Sequence, residues 1–304
     1  MIREALASVA RNESISGVLA RTPVARDLVT RVVGGETIDD VLPLVADLAD
    51  RGFFVALEHV EPDVMTRTEA DEAAAAYRTV IDALADSGLG DVAEVSVFTE
   101  SLGQGVAGAD EGAFGRLSSV VTRAGGRAVP IRLGVGPLPH VSQTLEWARA
   151  LIDRGDDVGV TLPAILRRTE QECSAWSAES VRLVKGAHAD GAAAYRQPIE
   201  TDKSFVRSAK ELLRGAGHPS FATHDPRLVA IVESLASRFD RAPHSFEYAF
   251  YLGRQTGEQE RLLAAGQRVR IYVPFGPRWL ERLVGGLAEQ PSGIGGALRS
   301  LLPR

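Results

Sequence analysis

The chain is poor in cysteine, in lysine and in long apolar runs, and each shortage narrows what it can be. Cys173 is the one cysteine among 304 residues. A lone thiol closes no internal disulfide and builds no cysteine-rich zinc site, which favours a reducing, cytoplasmic compartment. Lysine occurs only at Lys185, Lys203 and Lys210, so the remaining basic charge is arginine and no lysine precedes Lys185. The longest uncharged stretch, Leu133 to Leu145, is too short to span a bilayer and is interrupted early by glycine and proline. The opening segment carries Glu4 and Glu13 among its apolar positions and lacks the apolar core of a signal peptide. A formal net charge of −6 argues against sequence-independent nucleic-acid binding, which relies on basic surface to displace counterions.

With 45% hydrophobic and 24% charged residues, the composition is that of an ordinary globular protein. Apolar spacing at Leu6, Val9 and Ala10, and again at Leu42, Leu44, Val45 and Leu48, predicts a helical lead-in over 1–51, with Thr37 before Asp39 and Asp40 as a helix-start signature. Beyond Gly52, short β-branched or aromatic runs alternate with amphipathic stretches. The runs are Phe53–Leu57, Ala93–Phe98, Ala128–Leu133, Asp157–Leu162, Val181–Lys185, Ser220–Thr223, Ser245–Phe250 and Val269–Val273. Helical stretches include Glu69–Asp86, Gln143–Arg154, Lys203–Gly215, Pro226–Ser237, Gly257–Gly266 and Trp279–Glu289. Eight such units over 52–304 are the arithmetic of a closed (βα)8 barrel, a TIM-type α/β fold in one domain, with a doubly wound open sheet as the competing architecture.

In a barrel, chemistry sits where strands end and βα loops begin. Gly103, Gly105 and Gly108 match a dinucleotide-binding glycine pattern. The next strand-like run offers Arg132 where that fingerprint wants an acidic ribose partner, so a loop needing positive φ is the better account. His188, Asp190, His224 and Asp225 are of the residue types that ligate zinc or manganese but lack characteristic spacing. No Gly-x-Ser-x-Gly elbow appears. Arg182 and Lys185 share an otherwise apolar strand. Buried cations there must either pair with a carboxylate such as Asp190 or Glu247, or face an anion such as a cofactor phosphate at the barrel mouth.

Arg182-Leu-Val-Lys-Gly-Ala187, Tyr195 through Asp202 with Phe205, Ala222-Thr-His-Asp225, Phe246-Glu-Tyr, Val269 through Gly276, and Leu287-Ala-Glu289 together resemble the proline dehydrogenase family. The resemblance extends from about Ala10 to the C-terminus. It implies a FAD-dependent (βα)8 barrel that oxidises L-proline to pyrroline-5-carboxylate and passes electrons to a membrane quinone, with peripheral contact at the inner membrane face. By position, it implies flavin contacts at Arg182, Val184, Lys185, Gly186, Ala187, His188, Thr223, His224 and Glu289. A family glutamine aligns with Pro163, a tyrosine with His188 and a lysine with Pro198.

On the substrate side the departures are larger. The paired arginines that clamp the proline carboxylate in the family align with Gly285 and Gly286, the second-strand lysine with Phe98, the third-strand aspartate with Gly134, and a ring-packing tyrosine with Arg282; Tyr272 is kept. Because no lysine precedes Lys185, the second-strand lysine is absent under any alignment. Three readings follow: a flavoenzyme acting on proline or a related cyclic secondary amine, a paralogue that has lost amine oxidation and binds flavin or another ligand, and a metal-dependent barrel. Arg282 stands one helical turn before Gly285, with Arg278 a further turn back, and is the expected replacement anchor for an anionic group. Arg282→Ala should therefore weaken an anionic ligand about tenfold or more while flavin is retained; unchanged affinity measured by titration would remove Arg282 from that role.

Overall fold

The structure is a computed structural model and describes residues 33–136, 138–186 and 192–278. Within these, helix α1 (Ile38–Asp50) precedes β1 (Phe54–His59). There follow α2 (Arg67–Asp86), β2 (Ala93–Val97), α3 (Ala113–Gly125), β3 (Ile131–Leu133), α4 (Val141–Asp153), β4 (Val158–Pro163), α5 (Thr169–Ala175) and β5 (Val181–Val184). The chain continues through α6 (Pro198–Arg214), β6 (Ser220–Ala222), α7 (Pro226–Arg238), β7 (Glu247–Tyr251), α8 (Thr256–Ala264) and β8 (Arg268–Phe275). The strands pair in sequence order, all parallel, and β8 closes on β1 through Ala56 opposite Tyr272. This is the (βα)8 barrel; the open-sheet alternative is set aside.

Local chemistry explains the boundaries. Thr37 caps α1 through a box with Asp40, as the start signature predicts, and Thr66 with Glu69 does the same for α2. The third strand begins at Ile131 rather than Ala128, because Ala128 sits at φ 54 and Pro130 has no N–H to give a ladder. Helix α6 starts five residues before its expected start, with Pro198 at the first helical position, where a missing N–H costs nothing. The last predicted helix, Trp279–Glu289, and the lead-in before residue 33 lie outside the described residues.

Outward-facing strand residues such as Val55, Val95, Leu183, Phe221, Tyr248 and Ile271 pack under the helices and form the main apolar core. The barrel interior is different. Glu94 on β2 and Arg182 on β5 stand three strands apart and bond directly, so they meet across the lumen. Arg132 on β3 donates to both Glu94 oxygens, from Nε to Oε1 at 3.0 Å and from Nη2 to Oε2 at 3.2 Å. Arg270 on β8 donates to Glu247 on β7, from Nε at 2.7 Å and Nη2 at 3.0 Å, and its Nη1 comes within 3.8 Å of Glu94. Arg182 lies 3.9 Å from Glu247, which joins the two halves.

All five side chains are buried. Burial alone would raise the Glu94 carboxyl, but the guanidiniums of Arg132, Arg182 and Arg270 outweigh it and hold it well below the usual carboxylate range. Removing one partner from such a cluster leaves uncompensated buried charge. Glu94→Gln, nearly isosteric, should therefore cost about 3–5 kcal/mol in urea unfolding; a loss below ~1 kcal/mol would show that the cluster does not hold the barrel.

Candidate active site

The C-terminal strand ends form a mouth whose two sides are chemically unlike. On the β5–β6 side, Arg182 is only 3% exposed and reaches the mouth from below, its guanidinium 5.8 Å from the Tyr272 ring. Lys185, just past β5, contacts Asp202 at 2.7 Å and Asp225 at 3.0 Å. The structure thus gives both cations carboxylate partners, but not those expected for Lys185. Glu247 lies within the barrel and is engaged by arginines, while the β5–β6 loops bring Asp202 and Asp225 to the lysine. Asp190, Ala187 and His188 lie outside the described residues, as do Arg282 and Glu289.

Asp225 also caps α7 and accepts from Arg227 at 2.7 Å; the hydrogen bonds from Arg227 and then from Lys185 hold its carboxyl far below the ordinary range. Its oxygens are thus committed to cations, and among the described residues no cluster of three metal-ligating side chains forms. Of the four candidate metal ligands, the structure describes only His224 and Asp225.

Thr223 is buried at the end of β6 and accepts from the Asp225 amide. His224 beside it packs against Phe250 and Tyr251, at ring separations of 6.0 Å and 5.6 Å. Burial, helped by nearby Arg254, pushes the imidazole down to about 4, so it is neutral at pH 7. Its Nδ1 is buried and has no hydrogen-bond partner among the described residues. Gly186 follows Lys185 at the end of β5, the strand paired with β6, and among the described residues a side chain there would meet nothing within 4 Å. An orphaned ring nitrogen and open space over a backbone are what a flat heteroaromatic group of donors and acceptors fits. The residues that could hold it are Arg182, Val184, Lys185, Gly186, Thr223 and His224.

Tyr272 stands on β8 edge-on to Tyr251, with ring centroids 5.1 Å apart, and Tyr251 is 43% exposed at the mouth. Sequence reasoning singles out Tyr272 but misses Tyr251 and Glu94. The signal for Glu94 is a carboxylate in the middle of a strand that is buried on both faces. Pro163, one of the positions singled out by the resemblance, ends β4 and is buried. Gly103, Gly105 and Gly108 have φ of 92°, 76° and 76°, and Gly105 makes room for the His140 ring, as the turn reading of that motif requires.

The closed parallel barrel defines a (βα)8 protein whose candidate site lies at the C-terminal strand ends. Residues 41–279 match the family model described as proline dehydrogenase, and the chain belongs to that family of oxidoreductases. Proline dehydrogenase 1 of Bacillus subtilis (strain 168) is 25% identical over 307 residues, covering 100% of both chains. The proline dehydrogenase of Deinococcus radiodurans is 24% identical, covering 99% of this chain and 98% of that one. Among solved structures, proline utilization A from Bdellovibrio bacteriovorus, inactivated by N-propargylglycine, superposes with a TM-score of 0.83 at 18% identity, over 95% of this chain and 35% of that one. That likeness speaks to the fold, and the chain spans about a third of the length of the proline utilization A chains it matches.

Neutral His224 has a consequence for stability. Between about 4, its folded value, and the ordinary 6.5, the unfolded chain binds a proton that the folded chain refuses, so stability falls as pH drops through that window. In thermal unfolding across pH 7 to 4, His224→Gln should lose less stability than the parent; parallel curves would show that His224 is not held neutral.

Proposed function

We propose that the protein is a FAD-dependent oxidoreductase that converts L-proline or a related cyclic secondary amine to the imine and delivers the electrons to a quinone. The reading is carried by the family match over 41–279, on a barrel whose β5 and β6 ends leave the His224 Nδ1 orphaned and the backbone at Gly186 uncovered. FAD, when bound, supplies the acceptor for the hydride leaving the carbon beside nitrogen, while the amine gives up a proton.

This chain's residues supply binding and orientation. Arg182, fixed by Glu94, offers a guanidinium at the floor of the mouth. Lys185, tied to Asp202 and Asp225, holds the end of β5 against α6 and α7. Thr223 and His224 offer neutral polar atoms at the end of β6. Ala187, His188 and Glu289 complete the set by resemblance. Tyr272, steadied by Tyr251, presents an aromatic face for the ring of the amine. Arg282 is the anchor for an anionic group. Among the described residues no helix is long and apolar enough to cross a membrane, so delivery to a membrane quinone would take place at the surface.

Loss of the paired arginines at Gly285 and Gly286 removes two charge-assisted contacts, each contributing about 1.5–3 kcal/mol. The purified protein should show flavin absorbance, bleach under anaerobic mixing with a cyclic secondary amine, and use free L-proline about 10²- to 10⁴-fold less efficiently than a family member that keeps the pair. A colourless protein that takes up no FAD would overturn the assignment. Flavin that no amine of this class reduces would favour the non-catalytic paralogue.

A further inference from the structure

Two of the departures from the family pattern, Phe98 and Gly134, are neighbours in space. Alternation along β2 places Glu94, Ser96 and Phe98 on the lumen side, and along β3 it places Arg132 and Gly134 there, with Ser96 opposite Arg132 in register. Phe98 and Gly134 thus follow one another at the C-terminal rim. A Cβ built on Gly134 would fall 2.4 Å, 2.6 Å and 2.7 Å from three atoms of the Phe98 ring. The phenyl occupies the space that any side chain at 134 would need, so position 134 cannot take the family residue while Phe98 is present. Phe98 is half-buried, and its amide donates to the Tyr77 hydroxyl at 3.2 Å, which anchors the strand end behind the ring.

The charge around this pair points the same way. Over the described parts of 54–66, 93–112 and 131–143, the only lysine or arginine is Arg132, which is spent on Glu94 inside the barrel. The same segments carry Glu58, Glu61, Asp63, Glu100, Asp110 and Glu111. A ligand carboxylate turned toward this wall would meet an aromatic ring, and these described segments offer no lysine or arginine beyond Arg132 to hold it.

We infer that Phe98, locked over Gly134, is a specificity-determining wall of the mouth, and that the ligand turns an uncharged, apolar edge toward it. The class selected is a cyclic secondary amine whose face on this side is bare ring carbon or a neutralised carboxyl such as an ester or amide. Any anion on the ligand is held elsewhere. This rests on the amine-oxidising reading for its ligand, but the interlock itself does not.

Three variants test it: Phe98→Lys, Gly134→Asp and the double Phe98→Lys/Gly134→Asp, each assayed for thermal midpoint, flavin content, and anaerobic reduction by L-proline and by L-proline methyl ester. Gly134→Asp alone should lower the midpoint by about 5 °C or more, and the double variant should recover most of that loss. Phe98→Lys should raise the proline-to-ester ratio of reduction efficiency about tenfold or more, through a new cation on this wall. Additive midpoint shifts would overturn the interlock whatever the activity. A ratio unchanged by Phe98→Lys, in a variant that keeps its flavin, would overturn the specificity role. If the parent itself binds no flavin and responds to no amine, the functional reading and the specificity role fall together, and the midpoint cycle still decides the interlock.

Discussion

Glu94 is the group on which the arrangement of the barrel depends. One carboxylate from β2 takes guanidiniums from β3 and β5 and lies close to a third from β8, while Glu247 takes up the remaining pairing on β7. Most barrels of this architecture fill the lumen with layers of branched aliphatic side chains. A lumen of three arginines and two glutamates instead ties strands from opposite sides by directional bonds, and each bond needs its partner in place. The geometry of the mouth follows. Arg182 is held at the floor by Glu94, and the face of Tyr272 lies above its guanidinium.

Two halves of the mouth diverge from that common floor. The β5–β6 half is polar, with Arg182 and Lys185 both paired to carboxylates and the imidazole neutral. The β1–β3 half carries a phenyl ring packed over a glycine.

The fold was legible because strand and helix periods differ, and eight β-branched runs separated by amphipathic stretches admit few closures. Ends were less legible where a single residue decides them, as Ala128 does with its positive φ before β3. Of the candidate site, Arg182, Lys185, Thr223, His224 and Tyr272 could be read from ordered motifs, but their partners could not. Glu94 bonds a residue 88 positions away, and Lys185 reaches Asp225 across 40. Such contacts are set by barrel closure rather than by local pattern. The Phe98–Gly134 contact was hidden for the same reason: each substitution is visible alone, and their mutual fit appears only once β2 and β3 are in register.

The most direct measurement is a crystal structure of the protein loaded with FAD and a cyclic secondary amine under anaerobic conditions. The account predicts the flavin ring over the β5 and β6 strand ends, with a hydrogen bond to His224 Nδ1 and the uncharged edge of the amine against Phe98. A flavin seated elsewhere, or a ligand carboxylate turned toward Phe98, would contradict it.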